Sequence, residues 1–580
     1  MSSKTQNISS LIWNVCDDEL RGLFRPHEYG SVILPFLVLR RLDCVLEPNK
    51  DEIYELYEKY KNKVDDPSPI IQNEINSPFF NFSKYDLNRI KSDPQNVMIN
   101  FNNYLNGYSK NVYDIIENFN LTPLIEKLNK NNRLYKLIDK FTEVDLHPDK
   151  ISNHQMGTIY EELLRRFSEM SNQQSGDHYT PRDIVSLLVS IVFEGDRENL
   201  QGKGKIRSIY DSCCGTGGML SVGKQWVLEN INPDIKINLF GQELNDTSYS
   251  ICKSDFLITG EDPENIKGPK SSLSEDQFQG RKFDYMIVNP PFGQSWKDEK
   301  EFVQNEKGDP NGRFFVGIPR VSDGSFLFLQ TLIHKMEPSG SRIGIVFNGS
   351  PLTTGDTGSG ESEIRKWIVE NDLLETIISL PEKLFFNTPL KTYIWILSNK
   401  KSQKRTNKVQ LIDGSSFYKV RKKSLGKKRN DITQRDRKKI LEIYTDFSEN
   451  KFCKVLESSE FGHKKLKLLH PLIEDGEVKV NKKGIPILDN SKKNDYEKIP
   501  LKTEVKSFFD EEVRPHLPYS FLEEESETLG YEINFNRYFF KYSQPRKSKE
   551  LVQEIKSIQE SLKNESLNIS FDELKEIRYP

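Results

Sequence analysis

Apolar positions over residues 1 to about 150 fall at helical spacing, as in Leu11, Val15 and Leu20 or Tyr54, Leu56 and Tyr60, with few strand signals. Loops around Pro67-Ser68-Pro69 and Asp93-Pro94 cut this region into short helices, so it reads as an α domain. From about 151 the pattern changes. Ile159, Leu163 and Phe167 repeat every four residues on one helix, and Ile184-Val185 with Leu187-Leu188 mark another. Between and after these lie short apolar runs of strand length: 208–211, 237–240, 283–288, 342–347, 375–380, 393–397 and 409–412. The last two are close enough in sequence to pair as an antiparallel edge hairpin. The polar, glycine-containing stretch Gln294 to Asp323 is too long for a simple connection, and is expected to be a mobile loop closing over the substrate, with inert disorder as the alternative. A final part begins near 476, with a Lys-rich segment from Lys482-Lys483 to Lys493. It ends in a helix carrying Leu551, Ile555, Ile558 and Leu562 at i, i+4, i+7 and i+11, a stripe suited either to the parent domain or to partner helices. The expected organisation is therefore 1–150 helical, 151–475 α/β and 476–580 C-terminal.

Two of the strands end in loops with unusual chemistry. The run Ser208-Ile209-Tyr210-Asp211 leads into Cys213-Cys214-Gly215-Thr216-Gly217-Gly218, where three glycines in four positions allow a tight turn and close approach of a ligand to the backbone. No Gly-Lys-Ser/Thr follows, so it is not a Walker loop. The run Ile237 to Phe240 leads into Gly241-Gln242-Glu243, and a carboxylate at the end of the second strand of such a unit suits the two hydroxyls of a ribose. The run 283–288 ends in Asn289-Pro290-Pro291-Phe292. Two prolines remove two backbone donors and leave carbonyls free to accept; Asn289 adds an acceptor and Phe292 an aromatic face. A planar group bearing an NH2 fits that set, although the tetrapeptide alone also reads as a proline-rich loop with an Asn cap and a core Phe.

Composition narrows the setting. The net charge of −3 hides a basic window between Lys400 and Ile440, with sixteen Lys/Arg against three Asp/Glu. Such a window is a solvated face or a phosphate-binding surface. Six scattered cysteines without a Cys-x-x-Cys pair argue against a zinc site or a disulfide framework and favour a cytoplasmic location. The longest early apolar run, Val32 to Leu39, contains Pro35 and is far short of a membrane span, and no export signal is evident.

In order, the glycine loop, the acid and Asn-Pro-Pro-Phe resemble the S-adenosylmethionine-dependent amino methyltransferases of DNA. Upstream, Gly176-Asp177-His178-Tyr179-Thr180-Pro181-Arg182 resembles the extra cofactor-binding segment of the adenine-methylating subclass. The whole chain is similar to the modification subunit of Type I restriction–modification systems. Leu37 to Arg41 with Asp43, Arg342 to Pro351, Gly530 to Ile533 and Arg537 to Tyr542 extend that similarity nearly end to end. The resemblance implies a Rossmann-like methyltransferase sheet with an N-terminal helical domain and a C-terminal helical tail. It implies methylation of the 6-amino group of adenine in DNA without a metal, at Asn289, Pro290, Pro291 and Phe292. S-adenosyl-L-methionine would be held by Asp177, His178, Tyr179, Thr180, Pro181, Arg182, Asp211, Gly215, Thr216, Gly217 and Glu243. The implied partners are double-stranded DNA with a flipped adenine, a specificity subunit and a restriction subunit, with two copies of this chain in the assembly. Asn-Pro-Pro-aromatic sites also serve RNA and protein glutamine amides, which is the alternative reading. Two departures from the family pattern are Ser212, where proline is frequent, and Gly268-Pro269-Lys270-Ser271, where many members carry Gly-Asn-Thr-Leu; the Asn that would meet the cofactor's adenine is either missing or replaced by Ser271.

Overall fold

A run such as Tyr285-Met286-Ile287-Val288, buried at every position, satisfies its backbone only inside a sheet whose two faces are covered. The computed structural model describes residues 8, 10, 12–171, 180–386, 388–492, 495–540 and 548–564. Leu11, Gly176 to Tyr179, Lys493, Lys541 and Tyr542 lie outside the described residues. The chain divides into two units, 1–535 and 536–580.

Within the first unit a nine-stranded sheet is built from β1 (Ile206–Asp211), β2 (Lys236–Gln242), β3 (Ile266–Lys267), β4 (Tyr285–Val288), β5 (Arg342–Asn348), β6 (Leu374–Ser379), β7 (Thr392–Ser398), β8 (Lys408–Asp413) and β11 (Cys453–Glu457). Their spatial order is β11-β8-β6-β7-β5-β4-β1-β2-β3. β4, β1, β2, β3 and β5 run parallel. The strand order reverses at β1, with β2 on one side and β4 on the other, so a crevice opens beyond their carboxyl ends. This is the expected Rossmann-like α/β architecture, with β7 and β11 reversed.

The expected pairing of 393–397 with 409–412 is corrected. β7 lies antiparallel between β5 and β6, while β8 pairs parallel to the far side of β6. All seven residues of β7 are buried, with Trp395 fully so. A strand with no solvent-tolerant position is stable in the interior of a sheet, where both rows of backbone groups are paired, and the edge falls instead to the half-buried β11.

Buried charges lock the layers. Arg342 at the start of β5 donates to both oxygens of Glu375 at 3.0 and 2.9 Å and to the Tyr444 hydroxyl at 2.9 Å. Burial alone would raise the Glu375 carboxyl, but Arg342 outweighs it, helped by Arg405 and Tyr444, and holds the group down at about 2. In the helical region, Arg41 of the helix Tyr29–Leu46 donates to the Ile151 carbonyl and to Asn153 Oδ1, both at 2.7 Å, fastening that helix to the start of the helix Asn153–Ser171. Ile159, Leu163 and Phe167 are buried on the latter helix, as their spacing predicts.

A three-stranded sheet of 462–469, 496–500 and 521–531 crosses residue 475. Arg365 joins it to the segment after β5, donating to the carbonyls of Tyr531 and Thr354 at 2.7 Å each. The segment Gln294 to Asp323 is not a structureless loop. It contains the helix Lys300–Lys307 and closes through hydrogen bonds from Trp296 N to Val321 O and from Gly324 N to Gln294 O. The buried Arg313, bonded to the Ser272 and Leu273 carbonyls and to Glu306, anchors it beside Trp296, Val303 and Phe314, which form a small core of their own. In the second unit, the helix Ser548–Asn564 carries exposed Leu551, Val552, Ile555 and Ile558. Among the described residues no helix is long and apolar enough to cross a membrane.

Candidate active site at the carboxyl ends of the strands

The end of β1 turns through a loop whose shape the glycines permit. Gly215 and Gly217 have φ of 55° and 80°, left-handed values that L side chains rarely adopt. A Cβ on Gly217 would also stand 2.8 Å from the Cys252 sulfur. The turn is held by Cys214 N to Gln242 O at 3.1 Å and Gly217 N to Cys214 O at 2.8 Å, after which the helix Gly218–Asn230 begins. Glu243, just past β2 and 7% exposed, accepts from Gly215 N and Asn245 N, both at 2.8 Å. Asp211 accepts from Cys213 N at 2.9 Å. Its burial raises the carboxyl to about 8, with Glu243 adding repulsion against the lowering effect of that one hydrogen bond.

These groups line a cavity of about 480 Å³, within the size range of small-molecule sites. Thr180, Arg182, Asp211, Gly215, Thr216, Glu243, Asn289 and Pro291 all reach it. Pro181 and Gly217 support the wall without lining it, and Asp177, His178 and Tyr179 lie outside the described residues. Asn289 also lines the cavity, and its side-chain oxygen is buried with no hydrogen-bond partner. A buried acceptor left unpaired costs about 1–3 kcal/mol, so this atom waits for a donor. Pro290 is buried outside the lining, and Phe292 packs edge-on against Phe385 with centroids 5.5 Å apart.

Several lining residues were not foreseen: Met219, Leu244, Leu273, Trp296 and Phe328 supply apolar surface, and Glu299 accepts from Ser271 Oγ at 3.2 Å. The signal for one of them was the lone tryptophan, Trp296, in an otherwise polar stretch. The donors and acceptors present fit S-adenosylmethionine: carboxylates for a cationic amino-acid moiety and a ribose, a glycine cradle between them, and apolar surface for a purine.

A glycine loop on β1, an acid on β2 and a proline-framed acceptor on β4, meeting in one cavity, define an S-adenosylmethionine-dependent methyltransferase of the amino type. The N-6 DNA Methylase family model matches residues 151–472, and the HsdM N-terminal domain model matches 8–141. The chain therefore belongs to the N-6 DNA methylase family. It is 26% identical over 526 residues to the Type I restriction enzyme MjaIX methylase subunit of Methanocaldococcus jannaschii, covering 87% of this chain and 88% of that one. It is 23% identical to the MpnII methylase subunit of Mycoplasma pneumoniae, covering 84% and 93%. The fold matches the type I restriction–modification methyltransferase subunit of Streptococcus thermophilus with a TM-score of 0.61 at 20% identity, covering 79% of this chain and 97% of that one. The protein is an adenine-specific DNA methyltransferase using S-adenosylmethionine, of the modification-subunit kind found in Type I systems. Nothing in these matches supports RNA or a protein amide as the substrate.

Proposed function

We propose that Asn289 Oδ1 and the Pro290 carbonyl accept the two protons of the adenine 6-amino group, and that Phe292 offers its ring to the base. The observation that carries this reading is that Asn289 lines the cavity while its buried side-chain oxygen has no hydrogen-bond partner. The nitrogen lone pair of adenine is delocalised into its ring. Two fixed acceptors favour a more pyramidal, more nucleophilic nitrogen, and alignment with an activated methyl group then supplies most of what the transfer needs. The bound cofactor supplies that methyl on a positively charged sulfur. Around it, Asp211 and Arg182 contact the amino-acid moiety, Gly215 and Thr216 pass close beside it, and Glu243 accepts from the ribose. The segment Asp177 to Pro181 completes the cofactor side.

A base inside a duplex cannot reach this cavity, so the target adenine is flipped out at a cost of a few kcal/mol. The resemblance to Type I methylase subunits supports assembly with a specificity subunit and a restriction subunit, and two copies of this chain per complex and work in the cytoplasm are part of the same proposal. In that setting 1–150 serves as a helical clamp and contact region, 151–475 as the catalytic domain and 476–580 as a docking region. Labelled methyl incorporation into duplex DNA by parent and Asn289→Ala proteins, beside cofactor calorimetry, tests the assignment. Equal loss of both in the folded variant defeats it.

A further inference from the structure

Two groups of cations stand out within the basic window. Lys401 is buried against Asp372, Arg405 bonds Gln410 and the Tyr444 carbonyl, and Lys428 is buried on Asp183 at 2.9 Å. These are internal braces. A second group, Lys419, Arg421, Lys422, Lys423, Lys427 and Arg429, stands on a two-stranded ribbon, β9 (Lys419–Leu425) and β10 (Lys428–Asp431), which pair antiparallel around Gly426. No residue of β9 is buried, so both of its faces meet solvent.

A two-stranded ribbon, here buried only at Lys428 and Asn430 of β10, is marginal on its own and needs anchoring. Its anchors lead to the active site. Lys428 and Ile432 N both bond Asp183, the neighbour in sequence of the cavity residue Arg182. Lys427 N donates to the Phe386 carbonyl at 2.7 Å and Arg429 N to the Lys383 carbonyl at 2.9 Å. Phe385, between those two positions, is the residue against which Phe292 packs. The ribbon is thus bolted to the cofactor-side helix and to the support of the Asn-Pro-Pro-Phe loop.

Between 419 and 431 stand seven basic residues and one acid, Asp431, which Arg421 and Lys428 occupy. Lys419, Lys422, Lys423, Lys427 and Arg429 are exposed, and among the described residues none has a carboxylate within 4.0 Å. Unpaired cations on a rigid exposed ribbon repel one another and match a dense row of negative charge. Resting on the DNA-methylation reading above, we propose that this ribbon grips the phosphate backbone of duplex DNA beside the flipped adenine, independently of sequence. The contacts position the duplex over the cavity and carry no base readout.

The full-length chain is titrated with a duplex of arbitrary sequence over a series of salt concentrations. The comparison is between the parent and a variant carrying Lys422→Ala, Lys423→Ala, Lys427→Ala and Arg429→Ala. The expected result is a log–log salt slope shallower by about 3 to 4, at roughly 0.9 for each phosphate no longer neutralised, with affinity down at least about tenfold and cofactor binding unchanged. A charge-retaining variant, with Lys422→Arg, Lys423→Arg, Lys427→Arg and Arg429→Lys, is expected to keep the parent slope. An unaltered slope in the alanine variant, equal loss in the charge-retaining one, or no salt-dependent binding by the parent even at about 20 mM salt overturns the proposal. Failure of the underlying reading shows separately, as absence of methyl incorporation by the parent protein.

Discussion

The carboxylate of Glu243 accepts a hydrogen bond from the backbone of Gly215 at 2.8 Å across 28 residues of chain. Two loops from neighbouring strands are thereby fixed to each other before any ligand arrives, and the second oxygen of the same carboxylate holds Asn245 N. Pre-organisation of this kind lowers the cost of ordering a binding loop. Glu243→Ala leaves two backbone donors without their acceptor as well as removing the proposed ribose contact. Calorimetry is expected to show cofactor affinity down roughly tenfold to a hundredfold, from about 1–3 kcal/mol of weakened binding. Undiminished binding would remove Glu243 from the cofactor site.

Asn289→Ala deletes the unpaired buried acceptor of a cavity-lining residue and leaves the glycine loop and Glu243 unchanged in sequence. Methyl transfer is expected to fall by about a hundredfold or more, the scale of losing one pre-organised hydrogen-bonding group. Cofactor affinity should stay within a few fold, which calorimetry on the same preparation checks.

Gly215→Val places a branched side chain at a φ of 55° on the cavity lining. Backbone strain of about 1–3 kcal/mol and a blocked approach both act against the ligand. Cofactor affinity is expected to drop at least about thirtyfold while the far-ultraviolet dichroism of the chain is retained. Parent-like affinity would mean that the ligand does not approach this turn.

Burial holds the Asp211 carboxyl protonated up to about pH 8, against an ordinary value of 3.8. Because the folded value is raised, this group's contribution to stability is complete below the unfolded value and is lost as pH rises through about 8. The unliganded parent should therefore melt progressively lower from about pH 5 to 8 relative to Asp211→Asn, which cannot ionise. A cationic ligand beside the carboxyl favours its charged form, so cofactor affinity should rise over the same interval in the parent and stay flat in the variant. Parallel melting curves for the two proteins would show that Asp211 is already ionised.

Leu551 and Ile558 share one face of the terminal helix and are 37% and 53% exposed. Leu551→Asp with Ile558→Asp is expected to abolish co-purification with the partner subunits and site-specific methylation by the complex. Cofactor binding by the chain itself should be unaffected. Full activity of a complex containing the double variant would exclude this helix from docking.

The strands and their chemistry were legible because both depend on neighbours in sequence. Tyr285 to Val288 is an unbroken apolar run, and a loop that follows such a strand at its carboxyl end falls where α/β sheets hold ligands, which is enough to place Asn289 and the glycine loop. The spacing of Ile159, Leu163 and Phe167 likewise located a helix and its buried face. Cofactor and reaction class followed from the order of those motifs.

What only the tertiary structure decided were relationships between distant residues. Hydrophobicity showed that 393–397 is a strand, but its place between β5 and β6 depends on which partners can cover a segment buried at every position. Charge counting showed a basic window, yet Lys428 and Arg405 are internal braces while Lys422 and Lys423 are free in solvent, because pairing depends on where Asp183, Gln410 and Tyr444 fold to. Arg313 turned a polar stretch expected to be mobile into an anchored segment that delivers Trp296 to the cavity, through carbonyls of Ser272 and Leu273 some forty residues away. Local periodicity records what each residue needs from solvent or from a core; which residue meets that need is set by packing, and packing is a property of the whole chain.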